Sequence, residues 1–287
     1  MEEHGEGEFT ANDGGYYVGK WKDGRRDGFG FSVAPHEVVK CGVWAKGRFR
    51  GEQMLYHSER IYGIDISKYQ HVHKRRVYGI DWRNLRITRL GHTADRNALG
   101  AVDYPVSFVY IKSTEGQTVF NPYYTRDVRA ARRYGFPVGA YHFFSTRPAM
   151  RQADYFLKKS RLRKGDLPPM LDVELSDRRI AAMGGRDVLF REMLVWLKEV
   201  GRRSGTTPII YVSQDFVNRY MPFAPEELKA YPVWVARYGE YKPYVHLLYW
   251  QLSPDGRIRG IQGDVDIDVF NGSEEQFKRY LRTQTVK

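Results

Sequence analysis

The stretch PPMLDVEL, Pro168–Leu175, has the apolar texture of a buried strand yet carries two carboxylates, Asp172 and Glu174, two residues apart. In an extended chain, residues i and i+2 point to one face, about 6.6 Å apart along the backbone at ~3.3 Å per residue. Burying an ionised carboxylate without a partner costs several kcal/mol, so two such groups side by side are either paired or used in chemistry. A crowd of like charges raises the pKa of its least solvated member, and this is how a carboxylic acid stays protonated near neutral pH.

Seven further β-rich runs flank this one: IYGIDI, SFVYIKS and PVGAYHFF before it, and PIIYVS, YPVWVAR, LLYWQLS and DVDIDVF after it. Helix signals stand between several of them. Asn121-Pro122 opens a helix that closes at Gly135, and residues 187–200 carry Val188, Met193, Leu197 and Val200 ahead of Gly201. Ser273 with Gln276 forms a capping-box pattern before Phe277, Tyr280 and Leu281. Eight strands alternating with helices over residues 60–287 predict an α/β fold, an irregular (β/α) TIM-like barrel.

In a barrel of parallel strands, chemistry gathers where the strands end, because the loops at that face converge on one ligand. Polar residues mark those ends here. Asp65 and Ser67 close the first strand, Lys112 and Glu115 the second, Tyr141-His142 the third, and Asp172 and Glu174 the fourth. Tyr211 and Ser213 follow in the fifth, Arg237 in the sixth, Trp250-Gln251 in the seventh, and Asp266 and Asp268 in the eighth. Acids delivered from several strands beside tyrosines and tryptophans fit a carbohydrate site, since sugar faces stack on aromatic rings. Glycosidic cleavage needs a protonated carboxyl for the leaving oxygen and negative charge around an oxocarbenium-like transition state. Tyr141, Tyr211, Arg237, Trp250, Gln251 and Lys112 are the expected substrate contacts. His142 reads as a hydrogen-bonded core histidine. His71 and His73 read as solvated loop residues, and no metal or cofactor is expected, because no third ligand stands at a recognisable spacing.

Residues 1–59 have a different texture. Gly19, Trp21, Gly24 and Gly28 recur 23 residues later as Gly42, Trp44, Gly47 and Gly51. YVGKWKDGRRDGFG resembles a MORN repeat; the second copy is degenerate, with Lys40 in place of Tyr17 and Gln53 in place of Gly30. Each copy reads as a strand, a Gly turn and a return strand. Two copies are too few to bury a core, so this small β-rich appendage is expected to pack on the barrel. The division is therefore 1–59 and 60–287.

At 42% hydrophobic residues, the 287-residue chain is globular, and no apolar run approaches the ~20 residues of a membrane span. The single cysteine, Cys41, forms no internal disulfide. Of the formal charge of +12, residues 1–59 contribute −2, with 8 Lys+Arg against 10 Asp+Glu, so the basic character belongs to the barrel. A solvated basic surface is the plainest reading. Anionic lipid and an anionic cell-wall polymer also fit, whereas nucleic acid is not expected, since neither an RNA-binding aromatic signature nor a zinc-finger spacing is present.

YGIDISKYQ, FVYIKSTEG, VGAYHFF, PPMLDVE, PIIYVS, YPVWVARYG, YWQLS and VDIDVFNG together resemble glycoside hydrolase family 25, the Chalaropsis-type lysozymes or muramidases, over nearly all of residues 61–272. The resemblance implies hydrolysis of the β-1,4 bond between N-acetylmuramic acid and N-acetylglucosamine in peptidoglycan. It implies Glu174 as general acid, with Asp65, Asp172 and Asp266 around the reacting sugar. The pair Asp172 and Glu174 on one strand face is a geometry shared with glycosidases in which the sugar's 2-acetamido oxygen attacks. An extracytoplasmic or secreted location is the expectation that goes with this substrate, although the opening MEEHGEGEFTANDGG has no basic and apolar leader pattern, and a cytoplasmic location stays open. Two departures stand out. HVHKRRVY delays the GIDW segment, Gly79–Trp82, and Asp268 stands where the family commonly has Asn. The alternatives are a catalytically weak peptidoglycan-binding barrel, whose mark would be a missing acid, and a chitinase-like glycosidase, whose longer acidic motif is not matched by LPPML.

Overall fold

The computed structural model describes residues 5–13, 15–33, 40–52, 60–73, 75–92, 97–98, 101–236 and 246–287. A five-stranded antiparallel ribbon comes first: β1 (Gly5–Thr10), β2 (Tyr16–Lys22), β3 (Arg25–Val33), β4 (Lys40–Ala45) and β5 (Arg48–Glu52). Eight strands then close into a barrel. They are β6 (Ile61–Ile66), β7 (Phe108–Glu115), β8 (Val138–Phe143), β9 (Met170–Asp172), β10 (Ile209–Ser213), β11 (Pro232–Ala236), β12 (His246–Arg259) and β13 (Val265–Phe270). Each pairs with the next in sequence, and β13 returns to β6, which closes the ring. The eight runs read from the sequence are these eight strands.

The direction of the last strand departs from the all-parallel expectation. Strands β6 to β12 are parallel, whereas β13 runs antiparallel to both β12 and β6. The physical reason is the short connection. Only residues 260–264 join β12 to β13, and a parallel return needs a crossover of a dozen residues or more.

Alternation along each strand sorts two cores. Outward residues such as Ile64, Val109, Leu171, Val233 and Val269 meet the helix layer. This layer includes α1 (Tyr124–Arg133), α2 (Ala149–Ser160) and α3 (Arg186–Ser204). Inward residues fill the barrel with rings: Phe108, Tyr110, Trp234, Tyr249 and Phe270. Phe108 and Tyr249 lie 5.0 Å apart and Tyr110 and Trp234 5.0 Å, within the range of favourable edge contacts. The large rings require small neighbours. A Cβ on Gly63 would lie 2.2 Å from Phe108, and one on Gly139 would lie 2.3 Å from Tyr110. Helix α4 (Glu274–Thr283) follows β13, carries the Ser273/Gln276 capping box, and sets Phe277 5.7 Å from Phe108. The first helix starts at Tyr124, three residues after the expected Asn121, whose side chain instead accepts from the Tyr123 N–H.

In the ribbon, the 23-residue repeat has a geometric counterpart. Asp23-Gly24 and Lys46-Gly47 are both at positive φ, as a type I′ hairpin turn requires. Tyr17 stands between Trp21 and Trp44, at 5.2 and 5.0 Å. Phe31 is fully buried, 5.8 Å from Phe270 and 6.1 Å from Tyr280, while Gln276 Nε2 donates to the Val18 carbonyl at 2.9 Å. Cys41 Sγ donates to the Asn271 carbonyl.

Because Phe31 fills space between β13 and α4, Phe31→Ala is expected to destabilise the whole chain by about 3–5 kcal/mol, as large-to-small core changes do. Urea unfolding followed by tryptophan fluorescence checks this. An unchanged midpoint would show that the contact carries no stability.

Candidate active site

The inward parity that stacks rings in the barrel brings polar groups to its rim. Asp65 lies two residues past Gly63 on β6, and Asp172 ends β9. The Val173 N–H still donates to the Tyr211 carbonyl at 2.9 Å, so the chain stays in register with β10 while Glu174 emerges exposed. Because β13 is antiparallel, its start stands at the same rim as the ends of the parallel strands. Asp266 sits directly opposite Asp65 in the register. The result is a cavity of about 550 Å³ lined by Glu174, Tyr211, Ser213, Gln214, Asp215, Ala236, Gln251 and Asp266. This is within the usual range for ligand pockets.

Its electrostatics are dominated by crowded acids. Burial, followed by the charges of Asp172 and Glu174, pushes Asp65 up to about 7, although Tyr141 and Gln251 donate hydrogen bonds that favour its ionised form. Burial and then Glu174 push Asp172 well above the usual carboxylate range, with Lys112 opposing. Glu174 is raised by desolvation in the groove, and Lys112 again pulls the other way. Burial, Asp65 and Glu174 push Asp266 up to about 9. Protons are therefore shared over a coupled set, and one or more stay in the groove at neutral pH. Asp172 Oδ1 is buried with no hydrogen-bond partner among the described residues, which leaves a polar atom for a ligand to meet. Among the described residues, no group of three or more His, Cys, Asp or Glu side chains is arranged to hold a metal ion.

Of the residues expected from the sequence, Glu174, Asp266, Tyr211 and Gln251 line the cavity. Asp65 and Asp172 lie buried beside them, and Tyr141 reaches them through its bond to Asp65. Lys112 is held by Glu115 at 2.8 Å, 4.4 Å from the centre of the Phe143 ring. Asp266 and Asp268 share the inward face of β13 and differ in depth. Asp268 is one inward position deeper, opposite Gly63, and fully buried. Trp250 does not join the groove. It is 2% exposed and packs in the outer core, because it is one residue from Gln251 and the strand turns it to the other face. Arg237 lies outside the described residues.

The histidines divide. His142 faces outward and is fully buried, with Thr114 Oγ1 at 2.7 Å and Gln152 Oε1 at 3.1 Å, and burial pushes it down to about 4. His71 corrects the solvated-loop reading. It is fully buried, with Nε2 2.5 Å from Asp127 Oδ2 and its ring stacked 4.2 Å from Tyr123, so it ties the segment after β6 to α1. Gln214 and Asp215 are lining residues that the sequence reading did not single out. The available signal was Ser213, whose side chain accepts from the Phe216 N–H and so starts a helix, Gln214–Arg219, at a strand end.

The sequence model of glycosyl hydrolases family 25 matches residues 64–261. The chain is 33% identical over 228 residues to the protein YegX of Escherichia coli (strain K12), covering 78% of this chain and 74% of that one. It is 28% identical over 229 residues to lysozyme M1 of Streptomyces globisporus, covering 74% and 68%. Among solved structures, the bacterial lysozyme from Streptomyces coelicolor superposes with a TM-score of 0.63 at 26% identity, covering 79% of this chain and 98% of that one. A family 25 glycosyl hydrolase from Bacillus anthracis has the same fold, with a TM-score of 0.60 at 24% identity and coverage of 79% and 97%.

The raised carboxylates have a consequence for stability. Between the ordinary 3.8 of Asp266 and its folded value of about 9, the folded chain holds a proton that the unfolded chain has released. Stability is therefore whole below that window and falls as pH rises through it. Asp266→Asn is expected to be more stable than the parent at pH ~8, by about 1–3 kcal/mol after allowance for water in the groove, with the gain shrinking toward pH ~4. Urea titrations at the two pH values measure this. A pH-independent difference would contradict it.

Proposed function

The chain belongs to glycosyl hydrolase family 25 and is a lysozyme-like glycoside hydrolase, and from that premise we propose that it cleaves the β-1,4 bond between N-acetylmuramic acid and N-acetylglucosamine in peptidoglycan with Glu174 as general acid. The observation that carries the assignment is the exposed Glu174 carboxyl beside the buried Asp65 and Asp172. It alone of the Asp172/Glu174 pair opens freely to the groove, and its raised pKa keeps it protonated further up the pH scale than a free glutamate.

The mechanism we favour uses the substrate's own 2-acetamido group. Glu174 gives its proton to the leaving oxygen as the acetamido oxygen attacks the anomeric carbon, breaking the glycosidic bond and forming an oxazolinium ion. Water then attacks the same carbon. The Glu174 carboxylate takes the water's proton, and the acetamido oxygen leaves, which restores the acid and retains configuration. Asp172, with a buried oxygen free of partners among the described residues, accepts from the acetamido N–H and so holds the acetamido oxygen toward the anomeric carbon. Asp65, pushed up to about 7 and so partly ionised at neutral pH, places negative charge beside the oxocarbenium-like centre, while Asp266, opposite it in the register, holds a proton there. Tyr141 and Gln251 hold Asp65 in place, and Tyr211 lines the sugar's path. The ribbon we assign as a docked appendage of MORN-like type that stiffens the barrel, with the units meeting near residue 60. An extracytoplasmic place of action follows from the substrate. Among the described residues, no helix is long and apolar enough to cross a membrane.

Glu174→Gln is expected to lower turnover of purified peptidoglycan by about 10²–10⁴-fold or more while the fold persists, since the amide is nearly isosteric but has no acidic proton. Reducing-end release measures the rate, and mass spectrometry of the products identifies the bond. Wild-type turnover removes the assignment, and N-acetylglucosamine at the new reducing end removes the muramidase reading.

Glycan whose reacting sugar lacks the N-acetyl group tests the acetamido step separately. It should be cleaved at least about 10²-fold more slowly than its acetylated parent, the scale of a lost intramolecular group. Equal rates, or a glycosyl ester trapped on Asp65, Asp172 or Asp266, would replace this mechanism with a direct nucleophilic one.

A further inference from the structure

The positive charge of the chain is concentrated. Residues 124–166 carry 11 Lys and Arg against 3 Asp, a net of +8 within a total of +12. All three acids are engaged: Asp127 by His71, Asp154 by Arg203 at 2.8 Å, and Asp166 by Arg132 at 2.6 Å. The surplus cations converge. Arg129, Arg132, Lys159, Arg161 and Arg163 line a narrow cleft of about 60 Å³ between the C-terminal ends of α1 and α2. Arg132 and Arg163 also line an adjoining cavity of about 390 Å³ that runs past Gly135–Val138 to Asp166. Those segments lead into the N-terminal ends of β8 and β9. The cleft therefore lies at the end of the barrel opposite the acidic groove.

Helix dipoles favour cations in a last turn, which accounts for Arg132, Arg133, Lys158 and Lys159. They do not account for Arg161 and Arg163, which lie beyond the end of α2, the first of them in the left-handed region at φ 47°. Among the described residues, the guanidinium groups of Arg129, Arg161 and Arg163 have no carboxylate partner. Four arginines and one lysine around a concave space suit phosphate, which guanidinium binds by paired hydrogen bonds.

We propose that this basic cleft is a second binding site, one that takes successive phosphate groups of an anionic cell-envelope glycopolymer while the groove at the other end is free to take peptidoglycan. The polymer's source in the envelope rests on the muramidase reading, whereas the phosphate chemistry does not. Two adjoining concavities that share Arg132 and Arg163 suit a chain with repeated phosphates. The narrow cleft offers nucleic acid no ring to stack on, because Tyr124, the aromatic residue lining it, is buried with its hydroxyl donated to the Ser160 carbonyl at 2.8 Å.

The test measures binding of the full chain to fluorescent poly(glycerol phosphate) at about 0.1 M salt, where charges still act over ~10 Å. Arg129→Gln with Arg163→Gln removes two exposed cations and should weaken binding by about tenfold or more, the scale of lost charge-assisted bonds. Arg25→Gln with Arg48→Gln, on the ribbon, removes the same charge and should change it less than about twofold. Melting temperatures of both pairs verify that the fold persists, and Arg161→Gln with Arg163→Gln replaces the first pair if it melts early. Equal weakening by the two pairs would reduce the site to net charge and overturn it, as would no binding by the parent chain. Tighter binding of duplex DNA or of phosphatidylglycerol vesicles, competing for the same arginines, would overturn the polymer assignment. Hydrolysis of phosphate-free peptidoglycan is assayed on the same preparation. Its absence would remove the muramidase reading and leave the phosphate site standing, and loss of polymer binding alone would do the reverse.

Discussion

Closure of the barrel by an antiparallel last strand is the constraint on which the rest of the structure depends. A sheet of seven parallel strands leaves two open edges, and β13 satisfies both by pairing with β12 and β6 at once. Its reversed direction brings the beginning of the strand, rather than its end, to the rim of the groove. The register then sets Asp266 against Asp65, one layer above Asp268 and Gly63. Had β13 run parallel, Phe270 would stand at the rim and Asp266 would lie deep in the barrel.

The floor of the groove shows how the chain tolerates a concentration of acids. Below Asp65 and Asp172 the interior is almost wholly aromatic, with Trp234 and Tyr249 4.9 Å apart and no counter-charge among these rings. Such a floor cannot solvate ionised carboxylates, so protons are retained and pKa values rise. Water excluded by the rings is thus part of the chemistry. Asp268 takes this to its limit. It is fully buried and pushed well above the usual carboxylate range, first by burial and then by Asp65 and Asp266. The same packing that keeps carboxyls protonated costs stability at neutral pH.

Charge is segregated along the barrel axis. Acids gather at the carboxyl ends of the parallel strands, and cations gather where α1 and α2 end, at the opposite pole. This follows from the β/α repeat, in which each helix runs back against its strand and presents its C-terminal, cation-favouring end to the far face. Among the described residues, Lys112 is the basic side chain that stands close enough to lower both Asp172 and Glu174.

Much of this was legible in the sequence because strand periodicity is local. PPMLDVEL, IYGIDI and VDIDVF state which residues share a face, and eight such runs with helices between them state a barrel. The same periodicity already separates Trp250 from Gln251, which makes Trp250 a misreading of information that was present. Other features were not there to be read. The direction of β13, the depth that distinguishes Asp266 from Asp268, and the burial of His71 against Asp127 each depend on segments far apart in the chain. The basic cleft is intermediate, since its charges are countable in residues 124–166 but their convergence needs α1 and α2 side by side. Sequence by itself determined the elements and the parity of their side chains, because both arise from bonds between near neighbours. Tertiary structure alone decided which face became a groove, because burial and proton affinity depend on what closes over a residue from elsewhere in the fold.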